Sequence, residues 1–277
     1  MGRPPRPAST ICVFRDGSAG AEVLMVQRGS TARFMAGAWV FPGGAVDQLD
    51  HGADAVAACT GGVGGDMTPW MAAAVRELVE ETQVWLTDPP AHIEGAEPFL
   101  KDADVYARAI ETGRRFDLGQ LGYFANWITP SMVPMRFDTR FFAAAVDPAT
   151  PVYPDPSELD GAEWVTPSNA LERSAAGNWV VPFPTERTLE GFVGFDTASD
   201  VLGHVRSLGA IPSVQPRIRV GSDGRLEVVL PGDPGFDELT DDRPDPMLLE
   251  RAARASAAHG TPLAELDAPR DRDADAS

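Results

Sequence analysis

The sequence predicts an α/β or α+β fold built on a mixed β-sheet, and three observations carry that prediction. Short runs rich in β-branched and aromatic residues alternate with stretches of helical composition along most of the 277 residues. Apolar residues make up 43% of the chain, enough for one sizeable core or two small ones. No run approaches the roughly 18 to 20 apolar residues of a membrane span, and the apolar run 11–14 is closed at once by Arg15, Asp16 and Gly17. The expectation is a soluble, cytoplasmic protein that makes no membrane contact.

Residues 1–8, rich in Pro and Arg, read as a flexible N-terminal arm. Residues 10–14 (TICVF) and 22–27 (EVLMVQ) read as two strands joined by a turn at Asp16-Gly17, and 39–41 (WVF) as a third, stopped by the turn Pro42-Gly43-Gly44. Residues 51–68, with GGVGG at 61–65, read as a mobile insertion loop. The best helix follows at 69–86, with Thr68 as N-cap and Pro69 at a first-turn position that needs no amide hydrogen. Beyond Pro89-Pro90 a helix is expected at 102–112 and strands at 126–129, 140–146 and 162–165. Helices should begin near Pro167 and cover 184–192 and 198–208, and a hairpin should join 217–220 to 226–230. The organisation read from this is an arm at 1–8, a main domain at 9–210, an appended hairpin and helix at 211–259, and a disordered acidic tail at 260–277, too polar and charged to build a core.

Charge narrows the function. Asp and Glu number 41 against 23 Lys and Arg, for a net charge of −18, and residues 233–277 hold 12 acidic and 5 basic residues. Such a chain repels nucleic-acid phosphates, which argues against broad DNA or RNA binding. A small phosphorylated ligand would need local arginines or bound cations. Lys101 is the only lysine. Cys12 and Cys59 are too few for a disulfide framework and read as reduced structural thiols. The four histidines (His51, His92, His204, His259) lack the spacing of a zinc site.

The chemistry concentrates on the helix through Arg76-Glu77-Leu78-Val79-Glu80-Glu81. At about 100° per residue, Glu80, Glu77 and Glu81 lie about 40°, 100° and 140° from Arg76, while Leu78, Val79 and Thr82 face the core. Carboxylates crowded on one arc repel each other unless a cation sits among them, and an all-oxygen set suits Mg²⁺ or Mn²⁺. Arg76 has the planar fork to pair with the cluster and orient it. The bland alternative is a solvated helix face with an Arg–Glu pair at i,i+4. The glycine pair upstream weighs against it, because Gly43-Gly44 lets backbone groups approach a metal or a phosphate closely.

Phe41-Pro42-Gly43-Gly44, Asp50 and Arg76 to Glu81 together resemble the signature box of the Nudix hydrolases, most closely the coenzyme A diphosphohydrolase branch with its peroxisomal members. Flanking segments join the resemblance, namely Gln27-Arg28-Gly29-Ser30, the run 33–37, Arg136-Phe137-Asp138 and Pro184-Thr185-Glu186, so that it covers residues 9 to 195. Two departures stand out: Gln83 replaces the glycine that follows the paired glutamates, and the insertion between Asp50 and Arg76 is longer than the consensus. A helix that runs on through Val84 and Trp85 is the expected consequence of Gln83.

The resemblance implies a Nudix α/β/α sandwich with a mixed sheet and a C-terminal extension. It implies a diphosphohydrolase that uses Mg²⁺ or Mn²⁺, with Glu77, Glu80, Glu81 and the Gly44 carbonyl on the metal and Glu77, Arg76 and Glu80 in catalysis. Glu158 is the choice for a further metal carboxylate, ahead of Asp160 and Glu163, and a plain surface acid is the alternative. Arg28 and Arg33 are the choices for a substrate phosphate, with Gly43 and Gly44 beside it. Arg136 and Arg140 are read as structural. Coenzyme A or acyl-coenzyme A leads as the small-molecule diphosphate substrate, and ADP-ribose, NADH or a non-catalytic nucleotide-binding module stay open, as does a homodimer.

Overall fold

The computed structural model describes residues 4–32, 35–88, 98–131, 133, 135–221 and 226–239. Contacts divide the chain into two units, one of residues 5–127 with 137–213 and the other of 1–4, 128–136 and 214–277.

In the first unit a mixed sheet runs in the order β10-β2-β1-β9-β8, with strands β1 (Arg6–Gly17), β2 (Gly20–Arg28), β8 (Gly122–Ile128), β9 (Phe137–Ala145) and β10 (Leu159–Val165). Strand β1 is its spine, parallel to β9 from Arg6↔Phe137 to Phe14↔Ala145 and antiparallel to β2 at its far end. Two short strands lie alongside: β3 (Trp39–Val40) on β2 and β4 (Gly43–Ala45) on the start of β1. Alternate side chains of β1 enter opposite layers, as the two-residue period of a strand requires. Ile11 and Val13 join Phe142 and the apolar face of α2 (Thr68–Thr82), namely Val75, Leu78 and Val79. Cys12 and Phe14 join Phe141 and the helices α4 (Pro167–Ala175), α5 (Phe183–Gly191) and α6 (Ala198–Ser207) through Ala170, Leu189, Phe192 and Val205. The sheet is thus covered on both faces, which is the expected α/β/α sandwich.

Several expectations are corrected. Residues 6–8, expected in a flexible arm, are instead strand: Arg6 to Ala8 pair with Phe137 to Thr139. Gly43-Gly44 is strand β4 rather than a turn, held antiparallel to Ser9 and Thr10. The stretch 51–68 is not a bare loop: α1 (Ala53–Ala58) packs against α3 (Ala103–Glu111), and β5 (Cys59–Thr60) joins β6 (Thr87–Asp88) and β7 (Arg115–Asp117) in a small sheet, so that Ala55, Ala58 and Phe116 are buried. Helix α2 is capped by Met67, with Thr68 already helical and its hydroxyl accepting from the Gly64 amide (3.0 Å).

Nor does α2 run on through Val84 and Trp85. It stops at Thr82, and Gln83 takes the left-handed conformation (φ 57°) that the replaced glycine would adopt. That conformation costs a non-glycine residue roughly 1–2 kcal/mol. The end is supported from outside, since the carbonyls of Glu81 and Thr82 accept from the amides of Asp155 and Tyr153 (both 2.9 Å).

In the second unit, strands Arg217–Val220 and Leu226–Val229 form the expected hairpin, with an ion pair across the strands from Arg219 to Glu227 (2.6 Å). Arg136 donates to the Thr129 carbonyl (3.0 Å), the structural role expected of it. The appended helix and the acidic tail lie outside the described residues.

Gln83 gives a direct test of the helix end. Gln83→Val, which adds β-branching at a left-handed position, should destabilise the protein by about 1–2 kcal/mol in urea unfolding. Gln83→Gly should stay within about 1 kcal/mol of wild type, because relief of the backbone offsets the loss of side-chain packing. Equal stability of the valine variant would show that the helix does not end here.

Candidate active site

Arg76 lies at the centre. Its residue is 1% exposed, yet all five N–H donors have acceptors. Nε donates to Asp50 Oδ1 (2.8 Å), Nη1 to Glu77 Oε1 and Glu80 Oε1 (2.9 Å each), and Nη2 to Asp50 Oδ2 (3.1 Å) and the Ala45 carbonyl (3.0 Å). Burial alone would favour the neutral form, but Asp50, Glu77 and Glu80 more than offset it and raise the guanidinium pKa.

Asp50 is 0% exposed and fully engaged. Besides Arg76, its Oδ1 accepts from the Tyr106 hydroxyl (2.6 Å) and its Oδ2 from the Asp47 amide (2.7 Å). The carboxylate is the counter-ion of Arg76, with four hydrogen bonds already made. Burial, and then the Asp50 charge, push the Tyr106 hydroxyl upward, so that it stays a proton donor to Asp50.

The three glutamates differ in their surroundings. Glu77 lies directly against Gly44, where a Cβ would collide with its carboxylate. Gly43 is pinned by β1, since a Cβ there would strike the Ser9 carbonyl, and its amide donates to Glu81 Oε2 (3.2 Å). Burial raises the Glu77 pKa to about 7, with repulsion from Glu80 and Glu158 adding to the rise and Arg76 opposing it. Burial also pushes the Glu81 carboxyl up, helped by the charges of Glu77 and Glu158 and opposed by Arg28. Glu80 is raised by burial against the pull of Arg76, and its Oε1 also accepts the Asp102 amide (2.9 Å).

This alters the expected picture of three glutamates on one open arc. Among the described residues no three Asp, Glu, His or Cys side chains gather into a ready-made metal cage, because one oxygen of Glu80 and one of Glu77 turn to Arg76. What remains is the pair of desolvated carboxylates Glu77 and Glu81, which burial raises and the charge of the exposed Glu158 raises further. That chemistry fits a hard divalent cation, which binds through one or two carboxylates and keeps water and substrate oxygens for the other positions.

The further expected residues divide. Arg28 ends β2 opposite Leu159, the Gly29 amide donates to the Glu158 carbonyl (2.7 Å), and the charge of Arg28 acts on Glu81. Arg33 lies outside the described residues. Glu158 is exposed and ion-paired with Lys101 (2.5 Å), which also meets Asp155 (2.6 Å). Arg140 stacks over the Trp70 ring (3.7 Å), a structural role, and Trp39 stacks on Trp179 (4.0 Å). Sequence reasoning passed over Tyr106, Asp155 and Lys101. Only Lys101 carried a signal, its being the sole lysine, whereas Tyr106 sits in the apolar stripe of α3 with Val105 and Ala109.

A family model described as the NUDIX domain matches residues 4–182. A Caenorhabditis elegans protein named putative nudix hydrolase 7 is 30% identical over 169 residues, 58% of this chain, which spans about half (52%) of that relative's length. A human protein named acyl-coenzyme A diphosphatase NUDT19 is 28% identical over 281 residues, covering 80% of this chain and 74% of its own. The crystal structure of a NUDIX hydrolase from Alicyclobacillus acidocaldarius superposes with a TM-score of 0.64 at 30% identity, covering 73% of this chain and 97% of its own. Matched by that family across well over half of its length, the chain belongs to the Nudix hydrolase family.

Proposed function

We propose that this Nudix enzyme hydrolyses the diphosphate bond of coenzyme A or acyl-coenzyme A to 3′,5′-ADP and 4′-phosphopantetheine or its acyl form. The observation that carries the chemistry is the buried Arg76, which holds Glu80 and holds Glu77 against Gly44, while Glu81 accepts from the Gly43 amide and the charge of Glu158 acts on both Glu77 and Glu81. The substrate rests on the likeness to relatives named acyl-coenzyme A diphosphatase, from human and chicken, at 28% and 27% identity.

In the reaction the oxygen of water bonds to one phosphorus, the bridging P–O bond breaks, and the water's protons leave. Glu77, with a pKa of about 7 in the metal-free protein, is suited to take one of them at neutral pH. Arg76 does not reach out to substrate; its bonds to Asp50 and Ala45 fix the direction of Glu77 and Glu80. Mg²⁺ or Mn²⁺, held by Glu77, Glu81 and Glu158 with the free oxygen of Glu80 and the Gly44 carbonyl, would polarise the phosphoryl oxygens and acidify bound water. Arg28 and Arg33 take the substrate's phosphates, an arrangement that offsets the acidity of the site for an anionic ligand.

A panel of diphosphates incubated with Mg²⁺ or Mn²⁺, with products identified by mass spectrometry, tests the reading. Coenzyme A or its acyl esters should be cleaved with the highest kcat/KM, and EDTA should abolish turnover. Rapid cleavage of ADP-ribose or NADH with none of coenzyme A would overturn the substrate and keep the chemistry. Glu80→Gln and Glu81→Gln should each lower kcat by at least ~100-fold with the fold intact; near wild-type turnover would reduce the acidic face to a solvated surface.

The raised carboxyls also set a pH dependence. Glu77 binds its proton up to about pH 7 in the folded protein and only to about 4.5 unfolded. Its stabilising effect is therefore present below the unfolded value and is lost as pH rises through 7. Glu81 and Glu80 act in the same direction. The chelated protein should melt at a lower temperature at pH 8 than at pH 6, and added Mg²⁺ should raise Tm more at pH 8. Glu77→Gln should flatten the slope, and a metal effect equal at both pH values would remove Glu77 from the cation's surroundings.

A further inference from the structure

Lys101 is the chain's only lysine, and the cluster of carboxylates holds it. Its Nζ makes two ion pairs of different character. Asp155 is nearly buried, with a side chain 4% exposed, and is fixed from behind by the amide (2.9 Å) and hydroxyl (2.8 Å) of Ser157. Glu158, by contrast, has a side chain 45% exposed and makes the pair on the solvent side. Partial burial works against the ammonium charge, but Asp155 and Glu158 more than offset it and raise the pKa.

The next residue ties the same strap to the helix. Asp102 holds a positive φ (54°) outside the ordinary left-handed basin, and its amide donates to Glu80 Oε1 (2.9 Å). Such a backbone persists only where its surroundings over-determine it. The Lys101–Asp102 pair thus reaches Glu80 through the backbone and Glu158 through the side chain, and the Lys101 charge acts on Glu80 as well. The same Glu158 raises the carboxyls of Glu77 and Glu81. Lys101 is therefore a cation already resident among the acids that Proposed function assigns to the metal.

We propose that Lys101 is a built-in counter-ion that competes with the divalent cation for Glu158, so that metal loading and release of the Lys101–Glu158 pair are one event, with Asp155 retaining the lysine at the site. Two cations sharing one set of carboxylates repel each other. The solvent-side pair is the one to yield, since an exposed ion pair contributes only about 0–1 kcal/mol, while the pair with buried Asp155 is costly to break. This rests on the reading that the carboxylates take a divalent metal.

The test reads metal binding and lysine chemistry rather than turnover. Mn²⁺ affinity is measured by the electron paramagnetic resonance signal of free Mn²⁺ in wild type, Lys101→Gln, Glu158→Gln and the double variant. Glutamine at 101 keeps a donor for Asp155 and removes the charge. Lys101→Gln should tighten Mn²⁺ about 10-fold, Glu158→Gln should weaken it, and in the Glu158→Gln background the lysine substitution should change Kd less than about 2-fold. In the unmodified protein, acetylation of the single lysine, followed by mass spectrometry, should speed up at least about 5-fold on saturation with Mn²⁺. Affinity unchanged or weakened by Lys101→Gln, or labelling that Mn²⁺ leaves unchanged or slows, overturns the competition while the metal reading stands. Wild type that binds no Mn²⁺ overturns both.

Discussion

A guanidinium taken almost wholly out of water costs several kcal/mol unless each N–H finds an acceptor, and Arg76 meets that condition with Asp50, Glu77, Glu80 and the Ala45 carbonyl. The rest of the site follows from it. Because Asp50 takes two donors of the fork, the guanidinium plane is set, and Nη1 is left to hold one oxygen each of Glu77 and Glu80. Because Nη2 also reaches Ala45, helix α2 is locked to strand β4, and the bare backbone of Gly44 comes up against the Glu77 carboxylate. A buried ion network of this kind is weak evidence for stability, and its value here is the direction it gives to acids that would otherwise repel each other.

Two segments distant in sequence complete the arrangement, and both are recruited by ends that need hydrogen bonds. The last carbonyls of α2 have no partners within the helix, and the amides of Tyr153 and Asp155 satisfy them. That contact delivers Glu158, three residues on, to the neighbourhood of Glu77 and Glu81. The stretch before α3 is drawn in through the Asp102 amide on Glu80 and the ammonium of Lys101 on Asp155 and Glu158. Helix α3, on which α1 of the insertion packs, in turn sends Tyr106 to Asp50, so this segment contributes to the network around Arg76.

Much of this was legible in the sequence because it is local. The order of strands and helices, the apolar face of Leu78 and Val79, and the placing of Arg76 four residues from Glu80 all follow from residue periodicity. The misjudged parts are those decided by tertiary contact. Nothing local says that Arg6 to Ala8 will pair with β9, that the Gly43-Gly44 backbone will lie flat against β1, or that an alanine-rich stretch at 53–58 will find α3 to pack on. Gln83 shows the limit in the other direction. Propensity argued for a longer helix, and capping from the 153–155 segment supports an end that propensity disfavours. The burial of Glu80 and Glu81 was hidden for the same reason, since a helical wheel gives direction and not depth.

The central claim is that Arg76 aims a set of carboxylates at one place, where a divalent ion and a diphosphate meet. Anomalous diffraction at the manganese edge, from crystals soaked in Mn²⁺, tests this most directly. The peak should lie between Glu77 and Glu81 beside the Gly44 carbonyl, with Arg76 still bonded to Asp50. A peak elsewhere on the protein, or an Asp50 carboxylate turned away from Arg76 to ligate the metal, would contradict it.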